Sequence, residues 1–230
     1  MQKNAKIIII IAILFIIGAL ILISYEEPIP MKSNIIGDTD IGTVEKNIYG
    51  NESMNNTIAL ITGIHPREKL AIDPEIKAAK DFVRQHDDVK VIHYQINVTQ
   101  DPEDYENGRA NGESLVHDFV NPDVTNSDAD CVIISHSHEP WYGEGFYLAT
   151  PEMDDASVEI SLKINETTDF NYYPRTGNET YKSTSAVLVS RPIAQAGYPT
   201  FVYEIPEDIT DEDSTNKAKE LFGLMLEYAC

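Results

Sequence analysis

Histidine and glutamate residues follow three separate apolar segments of this 230-residue chain. His65 and Glu68 come after the segment "TIALIT", His136 comes directly after "DCVIIS", and Glu204 lies near the end of "PTFVYEI". Two imidazoles and a carboxylate are a ligand set that zinc accepts, with a fourth position left to water, and a further carboxylate nearby can take a proton from that water. The spacing His-x-x-Glu is common in surface turns, so it is the joint occurrence at three segment ends that indicates a metal site.

The segments that carry these residues have the pattern of strands in an α/β fold. "TIALIT" is continuously apolar, which is typical of a strand buried on both faces of a sheet. Strands that alternate with helices predict a mixed, largely parallel sheet with helices on both faces. In an open α/β sheet, ligands gather at the carboxyl ends of the strands, where His65, His136 and Glu204 lie. The predicted strands are "TVEKNIY" at an edge, "TIALIT", "VKVIHYQINV", "ADCVIIS", "GFYLAT" and "PTFVYEI". The predicted helices are "IDPEIKAAKDFVRQH", "RANGESLVHDFV", "SAVLVSRPIAQAG", which is interrupted at its proline, and "DEDSTNKAKELFGLMLEYA".

Three motifs resemble segments of the zinc carboxypeptidases. "GIHPRE" resembles that family's zinc-binding segment, in which a strand leads into Gly-x-His-x-Arg-Glu. "IISHSH" resembles its second ligand segment, and "FVYEIPE" resembles the late strand that carries its catalytic glutamate. The motifs also occur in the family's order along the chain. The resemblance implies a zinc carboxypeptidase-like fold in which His65, Glu68 and His136 bind one zinc ion and Glu204 is the general base for hydrolysis of an amide or peptide bond.

The same resemblance implies roles for residues around the metal. Arg67, inside the first motif, matches a family arginine that binds substrate and stabilises the developing oxyanion. Asn107 and Arg109, in "YENGRANGE", correspond to a family Asn-Arg pair that binds the terminal carboxylate of the substrate, although here a glycine separates them. Ser137 matches a substrate contact. His138 lies two residues beyond the predicted ligand and shares its face in an extended segment, so it is either a rival ligand or a substrate-binding group.

The motifs leave the subfamily and the substrate open. The short spacing between the two predicted histidine ligands resembles the related succinylglutamate desuccinylase and aspartoacylase branch, whose substrates are N-acyl amino acids, whereas the Pro-Arg pair of the first motif resembles the carboxypeptidases. The expected substrate is therefore a peptide, with cell-envelope peptides as one candidate, or an acyl amino acid. A non-catalytic protein that binds envelope peptides is a further alternative. Family members often use a mobile tyrosine over the substrate, and Tyr172, Tyr173 and Tyr181 are the candidates here.

The N-terminal residues 1–25 predict a single transmembrane helix that precedes the folded domain. Eighteen residues, from Ile7 to Ser24, carry no charge, which is long enough to cross a bilayer as a helix. Lysines precede this run and glutamates follow it, so the positive-inside rule predicts a single-pass membrane protein with its catalytic domain outside the cytoplasm. A cleaved signal peptide is the alternative. We expect residues 26–56 to form a polar linker or stalk and residues 57–230 to form the catalytic domain.

The chain is strongly acidic, with 38 Asp and Glu against 17 Lys and Arg and a formal net charge of −21. This balance argues against a nucleic-acid partner, because nucleic-acid binding requires basic patches. The motifs predict a substrate as one partner, and the N-terminal helix predicts a membrane as the other. The two cysteines predict a buried thiol at Cys131 and a free tail at Cys230, although an exported protein could pair them.

Overall fold

An eight-stranded mixed sheet forms the centre of the molecule, and the computed structural model describes residues 29, 31–174 and 184–230. The strand order across the sheet is β1-β2-β4-β3-β5-β8-β6-β7. The strands are β1 (Met31–Thr39), β2 (Gly42–Tyr49), β3 (Asn56–Thr62), β4 (Val89–Val98), β5 (Cys131–His138), β6 (Tyr147–Thr150), β7 (Asn171–Pro174) and β8 (Thr200–Pro206).

The four central strands run parallel. β3 pairs in parallel with β4 on one side and with β5 on the other, and β5 pairs in parallel with β8. β1, β2 and β6 join through antiparallel pairs, so the prediction of a mixed, largely parallel sheet is confirmed. β5 is buried along its whole length, as expected of a parallel strand covered on both faces. The carboxyl ends of β3, β5 and β8 consequently meet at one edge of the sheet.

Helices cover both faces of the sheet. One apolar core contains Phe82, Ile164 and Phe222, and the other contains Leu115, Val120 and other residues from helices on the opposite face. The helices are α1 (Asp73–Gln85), α2 (Tyr105–Leu115), α3 (Asn121–Val124), α4 (Asp155–Thr167), α5 (Arg191–Gln195) and α6 (Asp211–Tyr228). A 3-10 turn (Lys69–Ala71) precedes α1, and π-helical segments (Val116–Val120 and Ala186–Ser190) precede α3 and α5.

The helix that faces the carboxyl ends of the strands begins at a defined cap. Asp104 precedes α2, and its Oδ1 accepts hydrogen bonds from the backbone N–H groups of Glu106 at 3.1 Å and Asn107 at 2.7 Å. Such a cap satisfies backbone donors that a helix leaves unpaired at its start. Arg109 and Glu113 are four residues apart in α2 and therefore lie on the same side of the helix.

The segment predicted as a linker contains two strands. β1 and β2 form a hairpin, and β2 pairs with β4, so the prediction that residues 26–56 form a linker is wrong for most of that range. "TVEKNIY" forms most of β2, as predicted, but it lies inside the sheet because β1 covers its outer side. The side chains of β1 are mostly exposed, which is why its sequence has the polar composition of a linker.

The predicted transmembrane helix over residues 1–25 lies outside the described residues. Within the described part of the chain, no helix combines the length and the apolar character needed to cross a membrane.

Candidate metal centre

The structure brings the three predicted metal ligands together at the carboxyl ends of β3 and β5. Glu68 lies between the two histidines, with its Oε1 at 2.7 Å from His65 Nδ1 and its Oε2 at 2.8 Å from His136 Nδ1. The backbone N–H of Glu68 donates to the carbonyl oxygen of His65 at 3.1 Å, which turns the chain back after β3. One ligand atom from each residue lies within 4.8 Å of the others. Three donors from two separate segments of the sequence therefore converge on one point.

Two glycines fix the backbone next to His65. Gly63 has a φ angle of +79°, and a Cβ at this position would lie 2.2 Å from the carbonyl oxygen of Ile96 in β4. On the other side, a Cβ at Gly112 of α2 would lie 1.7 Å from the carbonyl oxygen of Ile64. Neither position has room for a side chain, and a positive φ favours glycine. The turn that carries the first ligand is therefore held between a neighbouring strand and a helix.

Helix α2 supplies two further charged groups to the centre. Arg109 Nη1 donates to Glu68 Oε1 at 2.9 Å. Glu113, one helical turn later, is buried, and its Oε1 lies 3.3 Å from His65 Nε2. A carboxylate on the outer ring nitrogen of a histidine ligand fixes the tautomer and orientation of the imidazole. The motifs indicated Arg109 but not Glu113, and the signal for Glu113 is its four-residue spacing from Arg109 on a helix.

The ionisable groups of the centre determine one another's charge. Burial raises the pKa of Glu68, but the charges of His136 and His65 and their hydrogen bonds outweigh burial and hold the pKa well below its ordinary value. Burial lowers the pKa of His65, whereas the charge of Glu68 and hydrogen bonds with Glu113 and Glu68 raise it, and the net pKa is raised. An ionised carboxylate placed between two imidazoles is an arrangement that a divalent cation can occupy.

Glu204 lies on β8, directly beside the strand that carries His136. The two residues are register partners in the parallel pairing of β5 with β8, so their side chains lie on the same face of the sheet. Glu204 is 9% exposed and lines the same cavity as the ligands. The preceding residue on β5, Ser135, points to the opposite face and donates to Glu75 of α1 at 3.0 Å. Strand alternation therefore places a second carboxylate next to the predicted metal ligands.

A cavity of about 360 Å³ opens over the ligands, and three arginines line it. Arg67, Arg109 and Arg191 are three of the five arginines in a strongly acidic chain. Arg67 is exposed, with its guanidinium 5.9 Å from the ring centre of Tyr105, and Arg191 Nε donates to Glu152 Oε1 at 2.7 Å. Acidic residues line the same cavity, so its charge is mixed, and the arginines are the lining groups that can bind an anionic part of a ligand, since guanidinium binds carboxylates in a bidentate manner. The sequence motifs did not indicate Arg191.

Three of the four predicted substrate-binding residues, Arg109, Ser137 and His138, line the cavity, and Asn107 does not. Ser137 lines the cavity and donates from Oγ to Glu207 Oε1 at 2.8 Å. Its backbone N–H lies 3.3 Å from Glu68 Oε2. Arg109 also lines the cavity, but Asn107 is exposed near the start of α2 and is not among the lining residues. The structure therefore does not place the predicted Asn-Arg pair together at the substrate site.

His138 lines the cavity but is not one of the three clustered ligands. Its Nδ1 lies 3.0 Å from the carbonyl oxygen of Glu139, and its Nε2 lies 3.0 Å from the carbonyl oxygen of Gly145. Its ring also packs against the ring of Tyr147 at 5.1 Å between centres. Both ring nitrogens are thus occupied by the loop that follows β5, which assigns His138 to holding that loop.

The tyrosines predicted as substrate-covering residues do not line the cavity where the structure describes them. Tyr172 Oη contacts Thr150 Oγ1 at 3.0 Å, and the ring of Tyr173 packs edge-on against the ring of Tyr147. Tyr181 lies outside the described residues. Three other exposed aromatic residues line the cavity, namely Tyr105, Trp141 and Tyr142.

Comparison with known proteins shows similarity at the level of structure. Neither protein-family models nor curated protein sequences gave a match. A metallo-carboxypeptidase from Burkholderia cenocepacia superposes with a TM-score of 0.60 at 12% identity, over 86% of this chain and 64% of that protein. A protein from Burkholderia mallei, provisionally named a carboxypeptidase, superposes with a TM-score of 0.59 at 12% identity, over 86% of this chain and 63% of that protein.

A third solved structure is closer in length to this chain. A protein from Shewanella denitrificans, provisionally named a metallopeptidase, superposes with a TM-score of 0.52 at 13% identity, over 86% of this chain and 84% of that protein. This chain spans less than two thirds of the length of the two Burkholderia proteins. The resemblance that the sequence motifs predicted is therefore confirmed for the fold, which is that of metallo-carboxypeptidases.

Proposed function

We propose that this protein, which has a metallo-carboxypeptidase-like fold, is a metal-dependent hydrolase that cleaves an amide or peptide bond near a free carboxylate of its substrate. The observation that carries the proposal is the convergence of His65, Glu68 and His136 beside Glu204 in one cavity. A fold by itself does not determine an activity, so the proposal depends on these side chains.

Zinc is the metal that we propose for the centre. Two imidazole nitrogens and a carboxylate oxygen form a donor set of catalytic zinc sites with one open position. The Nδ1 atoms of His65 and His136 face Glu68, while Nε2 of His65 contacts Glu113, so the Nδ1 atoms and the Glu68 carboxylate would hold the metal. Zinc bound at these atoms supplies Lewis acidity, which polarises a carbonyl and lowers the pKa of water to about 7.

Glu204 is the proposed general base. Its carboxylate lies beside His136 and can accept a proton from the attacking water at one of its oxygens. The same carboxyl group can then donate that proton to the nitrogen of the leaving amine. Arg67 is the proposed donor to the carbonyl oxygen of the substrate, where negative charge develops during attack.

The arginines support a substrate that carries a free carboxylate. Arg109 donates one N–H group of Nη1 to Glu68. Its other N–H groups are proposed to bind the free carboxylate of the substrate. Ser137 and His138 line the same site. Arg191 is the first residue of α5, and its Nε donates to Glu152. This hydrogen bond holds its guanidinium group at the same cavity. A peptide with a free C-terminus and an N-acyl amino acid both have the required group, and peptides of the cell envelope are the candidate that the proposed location favours.

We also propose that the protein is anchored in a membrane by residues 1–25, with the catalytic domain outside the cytoplasm. The uncharged run of eighteen residues and the lysines before it support this orientation. Protease treatment of intact cells tests the location. Digestion of the domain in intact cells is expected, and protection until the cells are lysed would contradict the proposed orientation.

Metal analysis combined with a substrate panel tests the proposed reaction. The panel contains peptides and N-acyl amino acids, each with a free carboxylate and with that carboxylate converted to an amide. The wild type is expected to hold one zinc ion and to hydrolyse substrates with the free carboxylate. The variant Glu204→Gln is expected to retain zinc and to lose activity by about 10²–10⁴-fold, the typical contribution of a general base.

The outcomes separate the alternatives. Cleavage of N-acyl amino acids but not of peptides would assign the protein to amidohydrolase chemistry with the same residues. Zinc binding without hydrolysis of any substrate would favour a non-catalytic peptide-binding protein. Equal activity of the wild type and Glu204→Gln would remove Glu204 from the mechanism.

A further inference from the structure

The loop between β5 and β6 presents two large aromatic side chains at the cavity. Trp141, which is the only tryptophan of the chain, is 81% exposed, and Tyr142 is 54% exposed. Both residues line the cavity that opens over the metal ligands. Burial of aromatic surface is favourable, so an exposed pair at the mouth of a cavity indicates a surface that a ligand covers.

Hydrogen bonds hold the backbone of this loop on both sides of the aromatic pair. The ring of His138 contacts the carbonyl oxygens of Glu139 and Gly145, each at 3.0 Å, and so joins the two ends of the loop. Between them, the N–H group of Tyr142 donates to the carbonyl oxygen of Glu139 at 2.9 Å. Because the backbone is fixed before a ligand arrives, the exposed rings can bind with a small loss of conformational entropy.

The strand order places this loop on the opposite side of the metal centre from Arg109. Helix α2, which carries Arg109, docks through Gly112 against the turn after β3. β5 lies next to β3, and β8 and β6 follow on the far side of β5. The loop leaves β5 and enters β6, so it passes the carboxyl end of β8, which carries Glu204. A substrate whose free carboxylate is bound by Arg109 therefore reaches the loop with the part on the other side of the scissile bond.

We propose that Trp141 and Tyr142 form a specificity subsite for an aromatic side chain in the acyl part of the substrate, which is the part that is cut from the leaving amine. The two rings lie edge to face, with 6.1 Å between their centres and 83° between their planes. A third aromatic ring can place its face on one of them and its edge on the other, and aromatic rings prefer both contacts. The inference rests on the proposed function, because that function places the free carboxylate of the substrate at Arg109.

Three peptides that differ in the place of one aromatic ring test the subsite by kinetics. N-acetyl-phenylalanyl-glycine carries the ring in the acyl part, N-acetyl-glycyl-phenylalanine carries it beside the free carboxylate, and N-acetyl-glycyl-glycine has no ring. For the wild-type full chain, we expect a KM about 10-fold lower for the first peptide than for the third. Equal KM values for these two peptides would overturn the proposal.

Variants assign the preference to the loop. Trp141→Ala is expected to raise the KM for N-acetyl-phenylalanyl-glycine about 10-fold and to leave kcat unchanged, since the lost contact stabilises bound substrate and transition state equally. Its KM values for the other two peptides should not change, whereas Trp141→Phe, which keeps an aromatic face, should retain most of the preference. The control Leu162→Ala removes an exposed apolar side chain of α4 outside the cavity and should behave as the wild type. A rise in KM that is the same for all three peptides in Trp141→Ala, or an equal loss of preference in Leu162→Ala, would contradict the assignment.

Tryptophan fluorescence tests the subsite independently of hydrolysis. Because Trp141 is the only tryptophan, its emission reports directly on occupation of this surface. The titration uses the Glu204→Gln variant, in which turnover is expected to be slow. N-acetyl-phenylalanyl-glycine is expected to shift the emission to shorter wavelengths and to protect it from acrylamide quenching, and N-acetyl-glycyl-glycine is expected to do so much less. Should no peptide be hydrolysed by the wild type, the proposed function fails, and this titration still decides the inference. Emission that the aromatic peptide leaves unchanged, or an equal response to both peptides, would show that the two rings do not form the subsite.

Discussion

The side chain of Glu113 connects the interior of α2 to the metal centre at the scale of single residues. Glu113 is buried, and its Oε1 lies 3.3 Å from Nε2 of His65. The other ring nitrogen, Nδ1, faces Glu68. The ring of His65 is therefore held on both sides by carboxylates. Glu113 does not line the cavity, so any effect on activity must act through His65.

The substitution Glu113→Gln is expected to weaken zinc binding by about 10–100-fold, since the amide keeps the shape of the side chain but lacks the charge that orients the imidazole. Competition with a chromogenic chelator measures the change. The matched control is Glu106→Gln, which removes an exposed glutamate from the first turn of the same helix. Wild-type zinc affinity in Glu113→Gln would show that His65 does not depend on this carboxylate.

The sequence revealed the four residues that belong to local motifs and missed those that depend on tertiary placement. His65, Glu68, His136 and Glu204 each follow or lie near the end of a recognisable strand. Glu113 reaches the site only because α2 docks closely against the turn after β3, which no local pattern indicates. The predicted pairing of Asn107 with Arg109 failed because residues two positions apart on a helix point to nearly opposite sides.

At the scale of elements, the close approach of α2 to the turn after β3 determines where the first ligand lies. The contact is between Gly112 and the carbonyl group of Ile64, the residue before His65. A helix can approach a backbone carbonyl this closely only where it has no side chain. The packing of one helix and the geometry of the metal site are therefore linked.

The substitution Gly112→Ala is expected to destabilise the fold by about 2 kcal/mol, because its methyl group would overlap the Ile64 carbonyl and force α2 away. Zinc affinity should fall as well, since His65 moves with that backbone. Urea unfolding and zinc titration measure the two effects. Gly223→Ala in α6 is the control, because a Cβ there has no atom within 4 Å and alanine favours a helix. Equal behaviour of the two variants would contradict the proposed link.

The elements that the sequence predicted are those with strong apolar patterns. The buried strands β3, β5 and β8 were recognised because both faces carry apolar residues. The sequence of β1 predicts a linker, because an edge strand with exposed side chains has no such pattern. Helix α4 was not predicted, and its buried face consists largely of serine and isoleucine, namely Ser157, Ile160, Ser161 and Ile164. The π-helical segments depend on packing and have no local signal.

At the scale of the whole molecule, one buried acid couples folding to pH. Glu75 of α1 is fully buried beneath the sheet, where Ser135 donates to its Oε2, and its Oε1 has no partner among the described residues. Burial raises the pKa of Glu75 to about 8, although the hydrogen bond from Ser135 lowers it. The folded protein therefore holds this proton at neutral pH, whereas the unfolded chain releases it near pH 4.5.

Raising the pH from 5 to 8 is expected to destabilise the wild type by about 3 kcal/mol through this group alone, because the folded state binds more protons than the unfolded state across that interval. The isosteric variant Glu75→Gln lacks the group and should lose correspondingly less stability over the same range. Urea unfolding of both proteins at pH 5 and pH 8 measures the difference. A parallel pH dependence of the two proteins would show that Glu75 is not a neutral acid in the fold.

The parallel pairing of β3 with β5 has a consequence for the kinetics of folding. The pairing, with Ile61 opposite Ile134, is what brings His65 next to His136, and a parallel pair requires a long crossover to form first. The metal ligands are thus expected to assemble late on the folding pathway. Zinc is then expected to leave the refolding rate nearly unchanged and to slow unfolding, because it stabilises contacts that are absent from the transition state. Stopped-flow measurements with and without zinc measure both rates, and faster refolding in zinc would indicate that the ligands meet early.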